Sequence, residues 1–370
     1  MTEEKKNKAE EMKNRGNWSR LKRCMKQAEE GNDLVIGFFG GSITQGSLAS
    51  KEEYCYAYRT FQWWKKKFPK ADIRYVNGGI GGTNSLYGVS RVVTDLLMYR
   101  PDVVVVDFSV NDDANAYFQE TYEGVIRSID SWETKPAVIV LNNVFYDTGE
   151  NAQEYHNEVA VHYGIPCVNI KDSIYAKMQM GIYKREQLTP DGLHPNDEGH
   201  RLLAGEIIRL LELVYEDRDR EEKEPEYPAP ITENGYEGAI RLQIGNSSPV
   251  LEGFRADTRR KEGFFDHFKN GWIGRKIGDR ITFWIEGRNL AVQYRKSIHK
   301  PAPVARVVVD GDEANAIVLD GNFQETWGDC LYLQKVLHHS KKQRHKVVIE
   351  IIEASCKDAV PFYLLSLIAS

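Results

Sequence analysis

Four consecutive valines, Val103–Val106, stand between Asp102 and Asp107 with no polar residue among them. A strand that faces water on one side alternates polar and apolar residues. One covered on both faces does not, and such strands belong to parallel sheets layered between helices. Around this run, β-rich stretches and helical patterns take turns. The stretches lie at 34–39, 72–76, 102–108, 136–143 and 165–169, and helical spacing occupies about 54–68, 84–99, 119–133, 151–163 and 196–215. A further helical pattern over 17–30 ends before Gly31, a suitable residue just past a helix end. The order predicts a three-layer α/β/α domain built on a doubly wound parallel sheet over residues 1–215.

At 370 residues the chain is long enough for two domains. After Tyr215 the composition changes to Glu-Asp-Arg-Asp-Arg-Glu-Glu-Lys-Glu-Pro and then Tyr-Pro-Ala-Pro, which reads as a solvated linker over 216–236. From 237 to 370 the helical period is gone. Strand patterns recur at 239–244, 281–286, 290–295, 304–310, 315–319, 330–336, 346–352 and 361–368, with Gly or Asp-Gly between several of them. A C-terminal β-sandwich is expected.

A net charge of −5 gives no electrostatic case for a nucleic-acid partner or an anionic membrane. No stretch approaches the roughly 20 apolar residues of a membrane span. Five scattered cysteines without a Cys-x-x-Cys read as reduced thiols. The charged start, Met-Thr-Glu-Glu-Lys-Lys, is not followed by an apolar export segment, so a cytoplasmic protein is expected. A homo-oligomer is compatible with the sequence.

The chemistry concentrates at predicted strand ends, where open α/β sheets bind ligands. Gly40-Gly41-Ser42-Ile43-Thr44 follows the first strand and offers a hydroxyl. Asp191-Gly-Leu-His194-Pro supplies an acid and an imidazole three residues apart, which a tight turn can bring together. A serine nucleophile needs such a base, and the base needs an acid to fix its tautomer. The oxyanion then needs donors set in place beforehand. The Ser42 N–H, the Gly82 N–H from Asn77-Gly-Gly-Ile-Gly-Gly82, and the Asn111 side-chain amide are the candidates. No metal or cofactor is required. The phosphate-loop reading of Gly40–Gly46 lacks the loop's lysine, and a metal site from Asp191, His194 and His200 lacks tight ligand spacing. Asp107, Asp112 and Asp113 are paired carboxylates whose place at a strand end suits bonding to loop backbone better than glycosidase chemistry.

These four ordered blocks resemble the SGNH (GDSL) hydrolases over residues 30–215. The resemblance implies a flavodoxin-like sheet and esterase activity, with Ser42, Asp191 and His194 as the triad and Ser42, Gly82 and Asn111 as the oxyanion hole. Two departures are visible. Gly41 stands where the GDSL form has aspartate, and Ser109 replaces the first glycine of the Gly-x-Asn-Asp block. The Gly-Gly-Ser-Ile-Thr-Gln-Gly block and the C-terminal β-sandwich together resemble the acetyl-mannan esterases of carbohydrate esterase family 17. That narrower resemblance implies release of acetate from acetylated mannooligosaccharides, particularly at the 2-position, and a carbohydrate-binding-module-like second domain. The rival readings are a GDSL-type lipase or thioesterase acting on longer acyl groups, and a glycan-binding protein with little turnover. Trp284 reads as core, whereas Trp327, in the loop-like Asn322–Asp329, is a candidate for stacking on sugar.

Overall fold

The computed structural model describes residues 15–262 and 266–370. The chain divides into two compact units, Met1–Glu237 and Gly238–Ser370. In the first, β1 (Leu34–Gly40), β2 (Ile73–Gly79), β3 (Val103–Asp107), β4 (Ala137–Asn142) and β5 (Cys167–Asn169) form one parallel sheet in the order β2-β1-β3-β4-β5. This is the flavodoxin-like order, whose switch point lies between β1 and β3. β1, β3 and β4 are buried at every position, as their unbroken apolar runs require.

The helices are α1 (Ser19–Glu29), α2 (Ser42–Gln45), α3 (Tyr56–Lys67), α4 (Ser85–Asp95), α5 (Ala116–Asp130), α6 (Gln153–His162), α7 (Ala176–Gln179), α8 (Arg185–Leu188) and α9 (Asp197–Glu216). Asparagines cap three of the helices that leave the active edge. Asn84 accepts from the Tyr87 N–H, Asn115 from the Phe118 N–H, and Asn196 from those of Glu198 and Gly199.

The acidic run read as a solvated linker is instead bound to the first unit. Glu222 accepts from Arg15 at 2.8 Å and faces Lys22 at 3.2 Å, while Lys22 also reaches Asp217 at 2.7 Å. Further along, the Arg127 guanidinium donates to the Pro228 carbonyl and the Glu123 carboxylate accepts from the N–H groups of Ile231 and Thr232. Partners on and just before α1 neutralise the charges, and the local sequence does not display them.

In the second unit, two antiparallel sheets enclose a core that includes Trp272, Phe283, Tyr294, Ile349, Phe362 and Leu364. One sheet runs β13 (Ile317–Asp320), β12 (Val304–Val309), β15 (Gln343–Glu353), β10 (Arg280–Gly287) and β7 (Val250–Glu252). The other runs β14 (Cys330–Leu337), β11 (Leu290–Lys296), β16 (Phe362–Ala369), β9 (Trp272–Gly274) and β8 (Arg255–Ala256), with β6 (Ile240–Leu242) also on β16. Trp284 corrects the sequence reading. The inward side chains of β10 are Ile281, Phe283 and Ile285, so the two-residue period turns Trp284 outward, where it is 47% exposed.

Candidate active site

β1 runs into α2 through two glycines, and α2 ends at Gly46, whose φ of 99° only glycine adopts readily. The turn lies close against the sheet. A Cβ on Gly40 would sit 2.3 Å from the Asp107 carbonyl oxygen, and one on Gly79 would sit 2.3 Å from the Gln45 nitrogen. Ser42 is therefore the first helical residue, and its N–H has no partner within so short a helix.

The Ser42 Oγ lies 2.8 Å from His194 Nε2, and His194 Nδ1 lies 2.7 Å from Asp191 Oδ2. Asp191 holds its own loop as well. Its Oδ1 accepts from the N–H groups of Leu193 at 3.0 Å and His194 at 2.8 Å, and from the Thr189 hydroxyl at 3.1 Å. Gly192, at φ 80°, makes the reversal possible. Burial opposes ionisation of Asp191, but the hydrogen bonds from His194 and the loop amides outweigh it and hold the carboxyl down at about 2. The imidazole thus has a permanent carboxylate partner on Nδ1, which leaves Nε2 as the acceptor toward Ser42.

Asn111 follows β3, and its side chain lies against the Gly41 backbone. A Cβ on Gly41 would be 2.1 Å from Asn111 Oδ1, so the departure from the Asp form at 41 has a steric reason. With Oδ1 turned toward Gly41, the Nδ2 of Asn111 makes no hydrogen bond among the described residues. Gly81 packs beside Ser42, since a Cβ added to it would lie 3.7 Å from the Ser42 Cβ, and it donates its N–H to Gln45 Oε1. Gly82, at φ 66°, has an N–H without a partner among the described residues. Ser42, Asn111, Asp191, His194 and the Gly81–Gly82 turn thus belong to one site.

Gln45 and His156 support the site without standing among the residues singled out from the sequence. Gln45 is within reach of a sequence reading, because it lies one turn beyond Ser42 on the same helix and so projects to the same side. His156 has no local signal. It sits 44 residues from Asp112, yet its Nε2 is 3.0 Å from Asp112 Oδ2, and its ring stacks on Tyr122 at 3.6 Å. Asp112 also accepts from the Ser85 N–H at the start of α4, a helix amide, whereas Asp107 accepts from the side chains of Thr44 and Asn143 and, among the described residues, not from the expected loop backbone. The pair therefore joins the segment that carries Asn111 to the segment that follows Gly82.

His200 takes no part in a ligand set with Asp191 and His194. Its Nδ1 accepts from the Tyr56 N–H and its Nε2 donates to the Ser47 carbonyl, and burial pushes its pKa down to about 4. Trp327 is 63% exposed and makes an edge-on contact with Phe323 at 5.1 Å.

The GDSL-like lipase/acylhydrolase family model matches residues 38–202, which span all four motif blocks. A solved two-domain esterase active on acetylated mannans is 50% identical, with 97% of this chain and 96% of that chain covered, at a TM-score of 0.95. The chain belongs to the SGNH (GDSL) hydrolases. The same esterase co-crystallised with mannopentaose gives a TM-score of 0.94 at 50% identity, over 97% of this chain and 96% of that one. An acetylxylan esterase of Geobacillus stearothermophilus is 29% identical over 165 residues, 39% of this chain and 74% of its own length. This hydrolase is a carboxylic ester hydrolase whose likeness to an acetyl-mannan esterase runs through both of its units.

Proposed function

We propose that the enzyme removes O-acetyl groups from mannooligosaccharides, 2-O-acetyl mannose foremost, through an acetyl-enzyme on Ser42. The observation that carries the chemistry is the continuous relay from Ser42 Oγ to His194 at 2.8 Å and on to Asp191 at 2.7 Å. Support for the substrate comes from the 50% identity to the mannan esterase across 97% of the chain.

Ser42 Oγ attacks the acetyl carbonyl carbon and gives its proton to His194 Nε2. Asp191 holds the tautomer and stabilises the imidazolium without taking the proton. The carbonyl oxygen becomes an oxyanion and accepts from the Ser42 N–H, the Gly82 N–H and Asn111 Nδ2. On collapse, the bond from the acetyl carbon to the sugar oxygen breaks, and His194 protonates that oxygen. Water deprotonated by His194 then attacks the acetyl-serine, the proton returns to Oγ, and acetate leaves. Trp327 offers an apolar face for the sugar chain, in a module-like β-sandwich. Five unpaired cysteines, three of them buried, suit a reducing compartment and a cytoplasmic setting.

The test is mass spectrometry of acetylated mannooligosaccharides before and after incubation. Wild type should strip acetyl groups stepwise, and Ser42→Ala should lose about 10⁶ in kcat. Activity that rises from acetyl to longer acyl chains would instead support a lipase or thioesterase.

A further inference from the structure

Below Ser42, at the end of β3, Asp107 is buried with 2% exposure and no cation among the described residues pairs with it. Its Oδ2 accepts from Thr44 Oγ1 at 3.1 Å and from Asn143 Nδ2 at 2.9 Å. Its Oδ1 is buried without a partner, and so is the Oδ1 of Asn143. The carboxyl and the carboxamide thus share one hydrogen bond, and each retains a buried oxygen to which nothing among the described residues donates. We propose that Asp107 is held as the neutral acid, its proton donated from Oδ1 to Asn143 Oδ1 in a closed acid–amide pair that fixes the nucleophile turn through Thr44.

An ionised Asp107 would leave two acceptor oxygens without a donor, a costly arrangement in a buried site. Burial independently pushes the carboxyl up to about 7, and the neighbouring Asp112 adds to the rise. The surrounding elements supply no compensating positive charge at Oδ1. From α3 comes the Tyr56 hydroxyl, bonded to Thr44 Oγ1 at 2.8 Å, and from α5 the Tyr122 phenol. Beyond β3 lies Asp112 with His156 of α6, and from α4 the Arg91 guanidinium reaches the Gly40 and Gly78 carbonyls and Asp95. Asp107 is a positioning residue. Thr44 is two residues from Ser42 on α2, so loss of the pair loosens the turn that presents the hydroxyl.

The positioning role rests on Ser42 as nucleophile, whereas the protonation does not. The raised carboxyl also fixes the sign of the stability effect. An unfolded chain releases this proton near the usual aspartate value of 3.8, and the folded chain near about 7. The stability contributed by the neutral acid is full below the first value, falls between the two, and is level above the second.

The experiment compares wild type with Asp107→Asn, whose amide supplies the missing donor permanently, and with Asp107→Ala. Infrared difference spectra of wild type minus Asp107→Asn at pH 6 should show a protonated-carboxyl C=O stretch, present equally on the Ser42→Ala background. The melting temperature of Asp107→Asn should exceed that of wild type by a margin that widens from pH 4 to pH 7 and then stays constant. Asp107→Asn should keep the wild-type kcat at pH 6, while Asp107→Ala falls about tenfold or more. Absence of the protonated band, or a pH-independent stability difference between wild type and Asp107→Asn, would overturn the proposal. The infrared comparison and the Asp107→Asn melting series decide it even where Asp107→Ala does not fold.

Discussion

At Gly41, the missing side chain and the place of Asn111 are one constraint. The space that an aspartate would take in the GDSL form is filled here by the Asn111 amide. Asn111→Ala should therefore lower kcat by about 10²–10³ with little change in KM, the loss expected of the oxyanion donor proposed above. Gly41→Asp should lower it by a similar factor, because the new side chain drives the amide away. Steady-state kinetics on an aryl acetate checks both. The depressed carboxyl of Asp191 makes a second prediction. Its ionised form contributes stability above the usual aspartate value of 3.8, and that contribution is lost only as pH falls through about 2. The acid limb of kcat/KM should then contain no carboxylate step from Asp191 above about pH 3. A step from Asp191 above that pH would contradict this.

Elements matter here through what ties them together. The Asp112–His156 pair joins the segment after β3, the start of α4 and the body of α6. His156→Ala leaves a buried carboxylate short of a donor and removes the ring stacked on Tyr122. It should cost about 2–3 kcal/mol in a denaturant melt and reduce kcat more than it raises KM. This tie is not legible in the sequence, because it depends on residues far apart in the chain, whereas the parallel sheet is. Val103–Val106 and the run before Gly40 are apolar at both parities, and burial on both faces is what that pattern means. Asp191 and His194 are legible for a similarly local reason, since one turn contains both. In the second unit, β7, β8 and β9 leave no sequence signal because they have only three, two and three residues, too few to show a period. Trp284 reads as core by residue type, yet strand parity decides its side and turns it outward.

At the scale of the whole molecule, Ser42, Asp191 and His194 all lie in Met1–Glu237, and the exposed Trp327 lies in Gly238–Ser370. If the β-sandwich recognises glycan through Trp327, then Trp327→Ala should raise KM for acetylated mannooligosaccharides about fivefold, roughly the 1 kcal/mol of an aromatic contact. Hydrolysis of an aryl acetate, which has no sugar chain to stack, should be much less affected. Equal losses on both substrates would place the effect in the fold and not in recognition.

The central claim is that Ser42 carries the acetyl group between sugar and water. It is tested most directly by rapid acid quench of the enzyme with acetylated mannooligosaccharide, followed by peptide mass spectrometry. The account predicts an acetyl group on Ser42 within the first turnover and none on the peptide from Ser42→Ala. Deacetylation of the sugar by Ser42→Ala at the wild-type rate, or an acetyl group carried on another side chain, would contradict it.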